Sequence, residues 1–139
     1  MPLLEQVLEK YPRQVKLVFK NFPLSNHRYA FRAAQAALAA DAQAKFWEFH
    51  DQLFKIYDTL NEQKIQEITR ALGLDEQKFE IELRNPALQA KIRQDYQDGI
   101  DSGVRAVPTV FVNGRRVQDR SLEVIQQVID KELKQAEKK

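Results

Sequence analysis

The sequence predicts a mostly helical α/β domain, and three observations carry this prediction. Residues 109–117 place β-branched residues on both sides of Asn113 and Gly114, the pair that a type I′ hairpin turn favours. Residues 15–20 alternate Val, Leu and Phe with Lys, Val and Lys, which is typical of a half-buried strand over 15–19. Most of the chain between these segments carries apolar residues at helical spacing.

The hairpin is the strongest local signal. Pro108 biases Val107 toward an extended conformation, and a proline in a sheet can only open a strand or lie at its edge. We therefore predict a strand over residues 109–112 and a returning strand over 115–117. Local chemistry alone does not distinguish Pro108, because most X-Pro bonds are trans.

Apolar spacing and capping residues predict the helices. They are a first helix with Leu3, Leu4, Val7 and Leu8 that ends at Pro12; an alanine-rich helix capped by Ser25 or Asn26 that ends at Asp41; a helix over 45–54; a helix capped by Asn61 with Ile65, Ile68 and Leu72, closed by Gly73; a helix capped by Asp75 with Phe79 and Leu83; a helix begun by Asn85 and Pro86 with Leu88, Ile92 and Tyr96 that runs toward Gly99 or Gly103; and a last helix with Leu122, Ile125, Ile129 and Leu133.

Length and charge exclude several classes of function. A chain of 139 residues fits one domain with an ordinary core, which needs no metal or disulfide. With 22 Lys+Arg against 20 Asp+Glu the net charge is only +2, so we predict neither nucleic acid nor a membrane as partner. No apolar run reaches the ~20 residues of a membrane span. The basic residues at 115–116 and 131–139 are interpreted as a solvated turn and a solvated helix end.

The sequence leaves the compartment open. Residues 1–12 lack the charged, apolar and small-residue regions of a signal peptide, so the chain as written is not expected to be exported. The absence of cysteine is itself neutral about compartment. If the reading frame begins upstream, a signal peptide and cysteines would both lie there, and the location would be periplasmic or otherwise extracytoplasmic.

The residues that could carry chemistry mostly have a structural interpretation. His50 is flanked by Trp47 and Phe54, so we interpret it as a packed histidine with one hydrogen bond, and the aromatic row of residues 46–54 as core rather than a ligand site. His27 is expected to be exposed. With two histidines and no cysteine, neither a metal site nor a cofactor is predicted. The sequence has three serines, Ser25, Ser102 and Ser121, and none of them lies in a nucleophile motif.

Four segments together resemble one known family. They are residues 15–24 (VKLVFKNFPL), 45–54 (KFWEFHDQLF), 72–75 (LGLD) and 106–114 (AVPTVFVNG). In this order, over nearly the whole chain, they resemble the DsbA family of thiol:disulfide oxidoreductases. The resemblance implies an α/β, thioredoxin-like fold of the DsbA type in a single domain over 1–139, with a multi-helix insertion at about 26–104. That family begins with a strand ending in C-x-x-C, so we expect this chain to lack the first strand and the start of the first helix.

The resemblance also implies a substrate-binding edge. In the DsbA family a cis-proline opens the third strand, which corresponds here to Pro108. Val107, Pro108 and Thr109 are therefore expected to hold a polypeptide substrate or partner by edge pairing. No catalytic residue is predicted, since the redox cysteines are absent.

Three functions are compatible with these observations. The first is a truncated thiol:disulfide oxidoreductase that is inactive as given, and the second is a cysteine-free peptide or protein interaction module. A weaker third is an enzyme related to the DsbA-like isomerases that use glutathione. Because the resembled fold places its first strand between residues 15–19 and 109–112, we expect open strand edges there. The two segments could pair directly, fold poorly, or recruit another molecule; we favour a homodimer.

We predict that in-frame coding sequence continues upstream of Met1 and encodes a C-x-x-C motif within one or two helical turns, because the sequence enters the resembled pattern inside a helix. Reading the genomic DNA tests this. An in-frame stop codon directly upstream, or an upstream strand without cysteine, would favour the interaction module instead.

Overall fold

The structure is a computed structural model that describes residues 2–24 and 29–137. Its described residues contain seven α-helices, one 3₁₀ turn and one β-hairpin. In chain order these are α1 (Pro2–Lys10), α2 (Ala30–Asp41), α3 (Phe46–Lys55), the 3₁₀ turn (Tyr57–Thr59), α4 (Glu62–Ala71), α5 (Glu76–Leu83), α6 (Pro86–Asp101), β1 (Phe111–Val112), β2 (Arg115–Arg116) and α7 (Leu122–Glu137).

The chain divides into two compact units. Residues 1–19 and 104–139 form one, which we call the hairpin unit, and residues 20–103 form the other, which we call the helical unit. The predicted insertion at about 26–104 falls almost entirely in the helical unit. None of the described helices is both long enough and apolar enough to cross a bilayer.

Capping residues set the helix ends in the helical unit, as predicted. Asn61 and Asp75 accept hydrogen bonds from the backbone N–H groups three residues later, at 2.9 and 3.0 Å, and so begin α4 and α5. Asn85 caps α6 through the N–H of Ala87. Gly73, with φ of 69°, follows α4, and α6 runs past Gly99 before Gly103, with φ of 82°, follows its end.

Only one end of the predicted alanine-rich helix, α2, can be compared with the structure. Ser25 and Asn26, the predicted caps, lie outside the described residues, and α2 begins after Tyr29. Its other end is confirmed, since α2 stops at Asp41.

The core of the helical unit is built against the alanine face of α2. Ala36, Ala39 and Ala40 have no exposed surface, and such small side chains let neighbouring helices approach closely. Phe49 of α3 is also fully buried and stacks on Phe79 of α5, with ring centroids 5.6 Å apart. The apolar residues predicted for α4 and α5 complete this cluster.

The aromatic row of α3 was expected to be core, and this expectation is wrong for two of its members. Phe49, His50 and Leu53 are buried, but Trp47 is 40% exposed and Phe54 is 56% exposed. Helical spacing shows which residues share a face of α3, but it does not show how much of that face neighbouring helices cover.

In the hairpin unit, α1 and α7 pack over a layer of valines. The buried members of this cluster are Val7 of α1, Tyr11 just after it, Val117 after the hairpin, and Ile125 and Ile129 of α7. Its half-buried members are Leu3, Val15, Val110, Val112, Leu122, Val124 and Leu133. Tyr11 Oη donates a 2.6 Å hydrogen bond to Asp130, which ties α1 to α7. That bond, with burial and the nearby carboxylate charge, raises the pKa of Tyr11 to about 12, so the hydroxyl stays a donor.

The hairpin forms where the sequence predicts it. Phe111 pairs with Arg116 and Val112 with Arg115, and the turn between them has φ of 49° at Asn113 and 81° at Gly114. Strand β1 is shorter than the predicted 109–112, although the N–H of Val117 donates to the carbonyl of Val110 at 2.9 Å and extends the ladder by one bond.

The prediction of a sheet strand over residues 15–19 is wrong. Burial alternates along this segment as expected, but the sheet in the described part of the chain consists of β1 and β2 alone. The physical reason is that alternation specifies which face is covered, whereas a strand also needs a neighbour to supply ladder hydrogen bonds. Direct pairing of residues 15–19 with β1 is therefore not the solution that the fold adopts.

Candidate functional site

The candidate site is the loop that leads into β1. Val107 is 47% exposed, Pro108 is exposed and Thr109 is half-buried, and the peptide bond between Val107 and Pro108 is cis. The three residues predicted to bind a polypeptide are thus at the surface of the hairpin unit. Their role in binding stays a prediction.

Both ends of this loop are held in place. At its start Val104 is buried, and Thr109 Oγ1 donates a 2.6 Å hydrogen bond back to the carbonyl of Ala106. At its end Val110 is fixed by the N–H of Val117. Between these anchors, the N–H groups of Val107 and Thr109 have no hydrogen-bond acceptor among residues 2–24 and 29–137. The loop therefore offers two donors on a supported backbone.

A groove of about 730 Å³ lies beside this loop, within the size range of ligand sites in proteins. Its apolar lining is Leu3, Leu4, Pro108 and Val110, and its polar lining is Gln118, Asp119, Arg120 and Ser121. Two of the polar residues stabilise the start of α7. Asp119 accepts a hydrogen bond from the N–H of Ser121, and the hydroxyl of Ser121 accepts one from the N–H of Val124. The groove thus combines an apolar surface with an exposed cation, Arg120.

Glu132 of α7 anchors the hairpin turn. Its side chain is 15% exposed, its Oε1 forms an ion pair with Arg115 Nε at 3.5 Å, and its Oε2 accepts a hydrogen bond from Asn113 Nδ2 at 3.5 Å. One carboxylate therefore contacts both the turn, at Asn113, and the strand after it, at Arg115. The sequence gives no sign of this contact, because Glu132 reads as an ordinary polar residue of an amphipathic helix.

His50 has the packed environment that the sequence predicts. The residue is 4% exposed, its Nδ1 lies 3.3 Å from Asp51 Oδ1, and the centroid of its ring lies 4.5 Å from that of Phe54. Burial lowers the pKa of His50, although Asp51 acts against this shift, so the ring is neutral at pH 7. The second histidine, His27, lies outside the described residues. Within the part of the chain that the structure describes, no cluster of His, Asp or Glu could hold a metal ion.

A buried carboxylate that sequence reasoning missed lies in the helical unit. Asp95 of α6 has a fully buried side chain, and its Oδ2 accepts from the backbone N–H and from Nδ2 of Asn21, both at 3.0 Å. Its Oδ1 accepts from Lys91 Nζ at 2.9 Å, and Lys20 Nζ lies 3.8 Å away. The only sequence signal is the position of Asp95, three residues after the buried Ile92 on the same helix.

Asp95 is ionised in this environment. Burial raises its pKa, but the hydrogen bonds from Lys91 and Asn21 outweigh burial and lower the pKa below the ordinary value of 3.8. The same bond raises the pKa of Lys91. Asp95 therefore acts as a charged anchor that fixes Lys20 and Asn21 to α6.

The fold and the loop before β1 define a thioredoxin-fold domain, and comparison with known proteins identifies its family. The family model described as a DSBA-like thioredoxin domain matches residues 3–130. The chain belongs to this family, which confirms the resemblance to the DsbA-type thiol:disulfide oxidoreductases and the predicted fold class.

Solved structures share the fold. A thioredoxin-like oxidoreductase from Silicibacter pomeroyi DSS-3 superposes with a TM-score of 0.82 at 26% sequence identity, covering 96% of this chain and 77% of that one. The thiol-disulfide exchange protein alpha-DsbA2 from Wolbachia pipientis superposes with a TM-score of 0.79 at 20% identity, over 94% and 71% of the two chains.

Curated relatives carry a different name. The Na(+)/H(+) antiporter NhaA 3 of Salinispora tropica is 37% identical over 116 residues, which are 83% of this chain and 18% of that protein. The Na(+)/H(+) antiporter NhaA 1 of Mycobacterium sp. (strain KMS) is 33% identical over 116 residues, 81% of this chain and 19% of that protein. The chain thus spans less than a fifth of the length of these relatives.

We predict that Asp95→Asn lowers the free energy of unfolding by about 1–3 kcal/mol at pH 7, because a buried charged hydrogen bond is lost. Urea unfolding of both proteins measures the difference. Asp98→Asn is the matched control on the same helix, since the exposed carboxylate of Asp98 accepts a surface hydrogen bond from Gln94 and its replacement should change stability by less than about 0.5 kcal/mol.

The same comparison has a defined pH dependence. Because the pKa of Asp95 is lower in the folded chain than its ordinary 3.8, its contribution is fully present above that value and is lost as the pH falls through the folded pKa. The difference in the free energy of unfolding between the unsubstituted chain and Asp95→Asn should therefore become smaller below about pH 4. Equal effects of the two substitutions at pH 7 would contradict the anchoring role.

Proposed function

We propose that this chain is the polypeptide-binding part of a DsbA-type thiol:disulfide oxidoreductase, and that it binds an extended segment through Val107, Pro108 and Thr109. One observation carries the proposal. The N–H groups of Val107 and Thr109 lie without an acceptor in the described chain, beside a groove with an apolar lining.

The binding mode is pairing of an extended peptide with the loop backbone. Carbonyl groups of the peptide accept from the N–H groups of Val107 and Thr109, as in other cases where a peptide adds to a strand edge. Successive side chains of an extended segment point to opposite sides, so every second one enters the groove beside Leu4 and Val110. Main-chain pairing accepts many sequences, which suits a protein that acts on varied polypeptides.

These 139 residues supply no group for the chemistry of this class. Thiol–disulfide exchange requires a thiolate that attacks a disulfide sulfur, and no residue of the sequence supplies one. Binding and exchange are thus separable in this protein. The chain retains the surface for the first and has no nucleophile for the second.

A second candidate is a cysteine-free interaction module, and the curated relatives favour it. Their matched segments are less than a fifth of proteins named as antiporters, so domains like this one occur as parts of longer proteins whose names describe a different activity. A protein expressed from a reading frame extended upstream of Met1 distinguishes the two candidates. The extended protein should catalyse the reduction of insulin if it is an oxidoreductase, and it should not if it is an interaction module.

We predict that an acetylated eight-residue peptide of alternating valine and threonine binds the chain and shifts the amide NMR signals of Val107 and Thr109. Val107→Ala should weaken binding about three- to tenfold, because it removes apolar contact area at the loop. Ile81→Ala is the matched control: Ile81 is a 69% exposed aliphatic residue of the helical unit and should leave affinity unchanged. Peptide-induced shifts confined to other residues would refute the site.

We also predict that the chain leaves the reduction of insulin by dithiothreitol at its background rate, because it has no thiolate. A cysteine-containing DsbA-type enzyme assayed in parallel is the positive control. Turnover above background by the chain itself would overturn the separation of binding from exchange.

A further inference from the structure

The tip of the hairpin consists of an asparagine and a glycine that are both exposed to solvent. Asn113 and Gly114 have φ of 49° and 81°, and the strands that they join form a ladder of two residue pairs. The tip of a hairpin with so short a ladder opens locally at low cost. The pair can therefore leave its turn conformation while the rest of the chain stays folded.

The backbone nitrogen of Gly114 is accessible for a reaction. Its N–H donates no hydrogen bond within residues 2–24 and 29–137. Apart from its chain neighbours, no heavy atom lies within 4 Å of the position that a Cβ of Gly114 would occupy. The side-chain amide carbon of Asn113, Cγ, is an electrophile one residue earlier in the chain, and a bond from it to this nitrogen closes a five-membered ring.

We propose that Asn113 is a modification site, where the side-chain amide converts spontaneously to a carboxylate through a cyclic imide with Gly114. The nitrogen of Gly114 gives up its proton to solvent and attacks Cγ of Asn113. The new C–N bond forms, the bond from Cγ to Nδ2 breaks, and Nδ2 takes up a proton from solvent and leaves as ammonia.

Water then opens the ring at one of its two carbonyl carbons. Opening at Cγ gives aspartate at position 113, and opening at the backbone carbonyl carbon gives isoaspartate, in which the main chain runs through the side-chain carbon atoms. The whole sequence consumes one water molecule and releases one ammonia molecule. Nothing is oxidised or reduced, so no co-reactant other than water is needed.

The other asparagines of the described chain are poorly placed for this reaction. Asn85 precedes Pro86, which has no N–H to lose. Asn21 is 4% exposed, and its Nδ2 donates to the buried carboxylate of Asp95 at 3.0 Å. Asn61 is held as the cap of α4 through its side-chain oxygen. The structure thus singles out Asn113.

The modification disturbs the contact between the hairpin and α7. Asn113 Nδ2 donates to Oε2 of Glu132, whose side chain is 15% exposed. An aspartate in this place has no hydrogen to donate and sets a second negative charge beside a carboxylate that is shielded from water, where like charges repel more strongly. Isoaspartate also lengthens the backbone of a two-residue turn, whose length fixes the register of the ladder. Both products therefore loosen the hairpin from α7.

Peptide mass spectrometry of the full chain after incubation in mildly alkaline buffer tests the site. The peptide that contains Asn113 should gain the mass difference between a hydroxyl and an amino group, several-fold faster than the peptides with Asn61 or Asn85. In water labelled with heavy oxygen the product should carry the label, because water opens the ring. Asn113→Gln is the matched variant and should stay unconverted, since its ring would have six members and closes much more slowly.

The same incubation in urea provides the reference for the unfolded chain. Conversion of Asn113 in urea but not in the folded chain would show that the turn protects this residue and would overturn the proposal. Conversion of Asn21 or Asn61 before Asn113 in the folded chain would overturn it as well. The peptide site proposed at residues 107–109 uses other residues, so failure of either proposal leaves the other standing.

The effect on the hairpin is measured with Asn113→Asp, which reproduces one of the products. This variant should unfold at a lower urea concentration than the unsubstituted chain. The loss should be smaller when Glu132→Gln is also present, because the repelling charge is removed. Asn61→Asp is the matched control, since it adds the same charge at a helix N-cap, where aspartate is as suitable as asparagine. Equal losses from Asn113→Asp with and without Glu132→Gln would overturn the inferred loosening.

Discussion

The need to pair backbone N–H and C=O groups governs the hairpin unit. Helices α1 and α7 pair their own, and the hairpin pairs part of a third segment, with Val117 to Val110 as its last ladder bond. The N–H groups of Val107 and Thr109 have no acceptor in the described part of the chain, and the proposed peptide site uses them. That proposal therefore depends on backbone that the fold holds in place without pairing it to a neighbouring strand.

This chain belongs to the family but does not contain the residue type on which thiol–disulfide exchange depends. The DSBA-like thioredoxin domain spans residues 3–130, whereas thiolate chemistry depends on a residue type that is absent from the sequence. What the fold retains is geometry: a loop fixed at Val104 and Val110, and a turn fixed by Glu132. Such a scaffold can bind without reacting, and for this reason family membership and activity need separate experiments.

Local features were predictable from the sequence, and features that depend on distant partners were not. The caps at Asn61 and Asp75 and the turn at Asn113 and Gly114 follow from residues within four positions, so the sequence predicts them correctly. The role of Asp95 depends on Asn21, which is 74 residues away in the chain.

The two errors have the same cause. Alternation predicted a sheet strand over residues 15–19 because the pattern reports a covered face, but the neighbour that completes a strand is not encoded locally. Trp47 and Phe54 were assigned to the core because their spacing is helical, and spacing does not state which row a distant helix covers. For the candidate site, the sequence located the loop through Pro108, but the apolar groove beside it depends on Leu3 and Leu4 from the other end of the chain.

The alanine face of α2 restricts how the helical unit can diverge. With Ala36, Ala39 and Ala40 fully buried, methyl groups set the distance between α2 and its neighbours. A larger side chain at these positions overpacks the core and destabilises the fold. A larger residue on this face is tolerated only when a facing side chain becomes smaller in the same lineage. Substitutions here should thus occur as compensated pairs, and the surface of the unit should drift much faster than this face.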